Sequence, residues 1–173
     1  YASFAPHPGG GQQNTNKAVG GDGKLVIGHG WDVVVTHNAL LDGLNVFAGM
    51  STIEQAGATG DRDQEAFGAT YAIGGATIGY QESKDDNVAA ATYYDNQAWG
   101  VSYSINDDLS VSYGEHQSKT NNSGSGNIEA RSLQLSYSVG GASVKVAETE
   151  VDNRKYVSGT NREGRTIALT LAF

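Results

Sequence analysis

Four tight turns punctuate this chain at an even interval. Their centres fall near residues 41, 74, 107 and 140, about 33 residues apart. Gly74-Gly75 and Gly140-Gly141 are two-residue hairpin turns, because glycine tolerates the positive φ that such turns need. Asn106-Asp107-Asp108 is a turn of residues that bond their own backbone, and Asn38–Gly43 is the fourth connection. A further step of the same length ends on Phe173. Between successive tight turns lies one longer polar connection. The repeating unit is therefore a hairpin of two strands, roughly ten residues each, with one short turn and one long loop. Strands joined by turns this tight must pair antiparallel with their neighbours. The spacing leaves an antiparallel meander as the architecture.

The alternation inside each unit agrees. In the last segment Ile167, Leu169, Leu171 and Phe173 share one face, and Thr166, Ala168, Thr170 and Ala172 share the other. The same two-residue period predicts strands over about 31–37, 44–54, 65–73, 76–83, 97–105, 109–118, 129–139 and 142–151, nine strands in all. The second is the least regular, since Phe47 and Ile53 fall on the face opposite Leu44, Val46, Ala48 and Met50. Residues 1–30 read as a Gly/Asn-rich external loop, and 31–173 as the strand region. Residues 84–96 read as a loop whose Val88–Tyr94 segment is also able to extend a strand.

What the apolar face meets decides between a soluble sandwich and a membrane barrel. The chain is 38% hydrophobic with a mean hydropathy of -0.39, and no run approaches the ~18 apolar residues of a transmembrane helix. Transmembrane strands give a much weaker signal per segment, so a barrel stays open. The polar face is mostly Ser, Thr, Gly and Ala, with few of the Lys and Glu that a soluble sheet turns to bulk water. The aromatics Tyr71, Tyr80, Trp99, Tyr103, Tyr113, Tyr137 and Phe173 all fall on the apolar face, as aromatic belts at membrane interfaces would. The expected fold is all-β: an antiparallel up-and-down transmembrane β-barrel with its polar face lining water. The chain has no Cys, which excludes a disulfide framework. Its net charge of -8 argues against nucleic acid as a partner.

The chain resembles the general bacterial porins of Gram-negative outer membranes, nearest the alphaproteobacterial type. The resemblance rests on Thr166–Phe173 with its terminal Phe, and on the strand–turn segments 68–75 and 135–141 (Gly-Ala-Thr-Tyr-Ala-Ile-Gly-Gly and Leu-Ser-Tyr-Ser-Val-Gly-Gly). It covers about residues 31–173. It implies a water-filled channel for passive diffusion of small hydrophilic solutes and ions, a homotrimer, and contact with outer-membrane lipid and lipopolysaccharide. Porins of this family have about 16 strands. Strand parity then makes this chain the expected C-terminal part of a larger barrel, because an open sheet in lipid leaves unsatisfied edges. The alternative is a small, non-conducting barrel of the last eight strands that acts in surface adhesion or partner binding through its external loops.

A channel has no catalytic residues, and none is expected here. His7, His29, His37 and His116 show no metalloenzyme spacing. The candidate pore-lining residues lie opposite the apolar face: Asp32, Thr70, Gln81, Ser102, Ser104, Ser110, Ser112, His116, Gln134, Ser136 and Lys145. Lys145 and His116 are the candidates to bias ion flow, and the net charge of -8 points to a mild cation preference. Asp61, Asp63 and Glu65 alternate beside a loop and offer the oxygen ligands that a structural calcium takes, or else form a solvated acidic loop. No other cofactor is expected.

Overall fold

Each tight turn closes where the sequence places it, and the strands between them pair in chain order. The computed structural model describes residues 1–5, 27–55, 61–87, 92–121 and 126–171. These form ten strands: β1 (Ala2–Ala5), β2 (Ile27–His37), β3 (Leu44–Gln55), β4 (Arg62–Ile73), β5 (Ala76–Asn87), β6 (Thr92–Ser104), β7 (Leu109–Thr120), β8 (Ile128–Val139), β9 (Ala142–Asp152) and β10 (Arg162–Leu171). All belong to one sheet in the order β1 to β10, every neighbouring pair antiparallel. β1 and β10 are its two edges, and the sheet does not close on itself. The fold is all-β and up-and-down.

Ten strands stand where nine were expected. The additional one, β1, falls inside the stretch 1–30 that was read as loop, and β2 also begins there. Four residues are too few to show a period. Their pairing carries the signal instead: Phe4 lies opposite Trp31 and stacks on His29 with centroids 5.6 Å apart. Ser3 lies opposite Asp32 and its hydroxyl bonds the Asp32 carboxylate. The strands also run further than the alternation indicated. β5 continues through Lys84-Asp85-Asp86-Asn87, and β6 starts at Thr92. The charged ends of these strands break the apolar pattern without breaking the ladder, because backbone pairing is indifferent to side-chain polarity. Phe173 lies outside the described residues.

Directly paired residues share a face, so the register carries one face across the whole sheet. Tyr71, Ile78, Val101, Tyr113, Leu133, Glu148 and Arg165 are successive partners along one such row. This face is apolar toward the tight turns. Nothing in the described residues covers it: there is no buried hydrophobic side chain, and Ile167 and Leu169 are 70% and 63% exposed. A second layer, as a sandwich requires, is absent among the described residues.

Toward the long connections the same face turns charged. Tyr80, its partner Trp99, and Tyr113, whose ring packs on Trp99 with centroids 5.6 Å apart, mark the change. The Tyr80 hydroxyl bonds Glu82 and accepts from Gln97 Nε2 at 2.6 Å. Trp99 Nε1 donates to Glu115 Oε2 at 3.1 Å, and the Tyr113 hydroxyl to Glu115 Oε1 at 2.5 Å. These side chains keep a ring on the apolar side and a polar tip on the charged side.

The opposite face is mostly small and polar. Phe47 is a large apolar residue on it, and the register explains how it is held. Phe47 pairs with Gly68. A Cβ built on Gly68 would stand 2.7 Å from two atoms of the Phe47 ring, so the ring occupies the space that glycine leaves.

Candidate functional site

All eleven pore-lining candidates lie on the polar face. The register joins Ser102 to Ser112 and Gln134, and Ser104 to Ser110, Ser136 and Lys145. Gln81 and His116 are both partners of Ala98. Thr70 opens a row of small residues, Gly79, Gly100, Gly114, Ser132 and Thr149. Because no long side chain rises from this row, the face is hollow over it. The hollow measures about 490 Å³ and is bordered by Thr70, Ser102, Ser112, His116, Gln134 and Thr149. Asp32 lies toward the β1 edge.

Nearer the long connections the polar face carries a network that the sequence reading did not assign. Arg62 Nε donates to Asp85 Oδ1 at 2.8 Å and its Nη2 to Asp85 Oδ2 at 2.5 Å, a two-pronged ion pair. Gln64 Nε2 donates to the same carboxylate at 3.2 Å, and its Oε1 accepts from Ser51 at 3.2 Å. Both partners of the ion pair sit at positions the alternation left in loops. The available signal was parity: Arg62 continues the phase of Thr70, and Asp85 that of Gln81.

A second cluster joins three connected segments. Ser118 is only 5% exposed. Its hydroxyl donates to Asn96 Oδ1 at 2.6 Å and lies 2.7 Å from the Tyr156 hydroxyl. Tyr156 belongs to the connection between β9 and β10, and its ring packs against Tyr94 with centroids 5.6 Å apart. No short-range pattern in the sequence could pair residues so far apart.

Charge divides between the faces. Within the strands the polar face carries Asp32 and Asp85 against Arg62, Lys145 and Arg162. The other face carries twelve acidic residues, among them Glu65, Glu82, Glu115, Glu129, Glu150 and Glu163, against Lys84, Lys119, Arg131 and Arg165. Within the strands the acidic excess thus lies on the face opposite the candidate lining. The cation preference drawn from the chain's net charge has no support in the charge that the strands place on the polar face.

Asp61, Asp63 and Glu65 are not gathered into a site. Asp63 accepts from Thr52 Oγ1 at 2.7 Å, and Glu65 pairs in register with Lys84. Among the described residues no group of three His, Asp or Glu could hold a metal ion.

With this geometry in place, comparison with solved structures identifies a similar backbone. An anion-selective porin from Comamonas acidovorans matches 84% of this chain with a TM-score of 0.71 at 14% sequence identity. The fold is porin-like. The match takes in 49% of that porin's length, so this chain spans about half of it. No family model matches the sequence, and no curated protein does. At this identity the likeness is one of fold. The porin-like sheet accounts for the meander order, the alternation of faces and the two open edges.

Proposed function

We propose that this chain forms part of the wall of a water-filled outer-membrane channel for passive diffusion of small hydrophilic solutes and ions. One observation carries the reading. A single sheet with a porin-like backbone exposes large apolar side chains on one face and, on the other, a hollow over small residues bordered by Thr70, Ser102, Ser112, His116, Gln134 and Thr149. In water the apolar face would be an aggregation surface. In a membrane it meets lipid, and the hollow face meets water. The two free edges find partners in further strands of the same barrel. The Gram-negative outer membrane, its lipopolysaccharide and a homotrimeric assembly belong to the same reading.

The neighbour's name assigns anion selectivity to that protein. In this chain the charge on the polar face points the same way: Asp85 is held by Arg62, and Lys145 and Arg162, with no carboxylate partner among the described residues, stand against Asp32 alone. The reading assigns no catalytic residue.

The test is electrical. The native full-length protein, purified in detergent and reconstituted into a planar bilayer, is expected to give ohmic current steps, closing in threes at high voltage if it is trimeric. A bilayer that stays silent after verified insertion overturns the reading. It would favour the alternative, a non-conducting barrel that works through its external loops.

A further inference from the structure

We propose that the apolar face forms a belt shorter than an ordinary bilayer is thick, and that it takes a thin membrane of short-chain lipids as its partner. The inference rests on the reading above, in which this face meets lipid. Its first support is where the belt starts and stops. On β8 the face carries Val139, Tyr137, Leu135 and Leu133 from the tight turn upward, then Arg131. On β9 it carries Ala142, Val144 and Val146, then Glu148. β4 to β7 repeat the pattern, and their apolar runs stop at Glu65, Glu82, Gln97 and Glu115. None of these six strands has more than four apolar residues in succession on this face. Leu40 and Leu41 carry the belt past the turn at one hairpin. Gly74-Gly75, Asn106–Asp108 and Gly140-Gly141 end it at the others.

The second support is height. The level at which polar residues begin steps along the register by two residues at every second strand. Glu82 pairs with Gln97, but Gln97 pairs with Gln117, two residues beyond Glu115. Glu115 pairs with Arg131, but Arg131 pairs with Glu150, two residues beyond Glu148. For these residues to lie at one depth in a membrane, the strands must lean by one residue per strand, roughly 35° at a rise of ~3.3 Å and a spacing of ~4.8 Å. Barrel strands lean by about this much. At this tilt the six steps from Val139 to Leu133 rise about 16 Å along the membrane normal, and the eight to Arg131 about 22 Å. The apolar band of a membrane barrel is about 25 Å tall, and the hydrocarbon of a typical bilayer about 30 Å thick.

The third support is that the upper limit is fastened. Trp99 and Tyr113 both donate to Glu115, and the Tyr80 hydroxyl bonds Glu82 and Gln97, so the rings at the top of the belt are tied to the row that ends it. In and above that row charges pair with one another, Arg165 with Glu148 and Arg131 Nη2 with Asp152 Oδ2 at 3.1 Å. Drawing such groups into hydrocarbon would strip them of water. A bilayer meets a short belt by thinning, and a membrane that is already thin meets it without deformation.

The test uses the full-length protein, refolded into vesicles of phosphatidylcholine with monounsaturated chains of fourteen, sixteen, eighteen or twenty carbons. Urea midpoints, approached from the folded and the unfolded side, should be highest in the shortest chains and fall with each lengthening. A variant carrying Glu82→Leu, Gln97→Leu, Glu115→Leu and Arg131→Leu raises the belt on four strands by about 5 Å, and its highest midpoint should move to longer chains. Should that variant fail to fold, the wild type decides in mixed vesicles. Brominated lipid should quench its tryptophans more strongly as the short-chain component than as the long-chain one. Wild-type midpoints that stay level or rise with chain length, a variant maximum that does not move, or quenching indifferent to chain length would overturn this inference. The channel reading, which current tests, would stand. A protein that enters none of these vesicles would remove both.

Discussion

The ring of Phe47 lies over Gly68, its direct partner across β3 and β4. It is a large apolar side chain on the polar face, and it is tolerated because its neighbour has none. A Cβ at residue 68 would stand 2.7 Å from the ring and 2.6 Å from the Tyr80 carbonyl oxygen. Gly68→Ala should therefore destabilise the folded protein by about 1–3 kcal/mol, the usual range for overpacking. Thermal or urea unfolding in detergent would show it. Combining Gly68→Ala with Phe47→Ala should recover part of the loss but not all, because the clash with the Tyr80 carbonyl remains. Full recovery, or no loss at all, would contradict the geometry.

Leu135 and Ser136 are adjacent in β8 and point to opposite faces. If the apolar face meets lipid, Leu135→Arg should cost about 2–4 kcal/mol, as a charge does near the bilayer midplane of a barrel. Ser136→Arg, on the watery side, should insert nearly as well as the wild type. The comparison is made by refolding each variant into lipid vesicles and measuring the inserted fraction and its unfolding midpoint. Equal behaviour of the two would contradict the assignment of faces.

The division of charge between the faces separates two substitutions of similar size. Lys145→Glu changes the lining and should move the zero-current potential toward cations. Glu129→Lys changes net charge by the same amount in the opposite sense, but on the other face, and should leave the potential nearly where it was. Ion selectivity that followed total charge regardless of face would contradict the arrangement.

Much of this architecture could be read from the chain, and the reasons are local. Gly74-Gly75 and Gly140-Gly141 fix two hairpins outright, and Ile167, Leu169 and Leu171 display their period without interruption. The parity of these strands put every lining candidate, from Asp32 to Lys145, on a common face. What was not legible depends on partners distant in sequence. β1 is defined by Trp31 and Asp32 rather than by its own four residues. Arg62 and Asp85 stand where strands run past their apolar portion, so hydropathy ended the strand before the backbone did. Phe47 looked like a fault in the alternation until Gly68 was placed beside it. Tyr156 meets Ser118 only because two intervening connections bring β7 within its reach. The distribution of charge was not legible for a related reason: a sum over the chain carries no information about which face its members occupy.

The strict neighbour order has a consequence for how such a wall could grow or shrink. Each hairpin bonds only to the hairpins beside it, and no strand crosses over another. Adding or removing one unit of about 33 residues would leave every other register as it is and alter only the circumference. Strand number in this architecture behaves as a count of interchangeable staves, with bore width the quantity that the count sets.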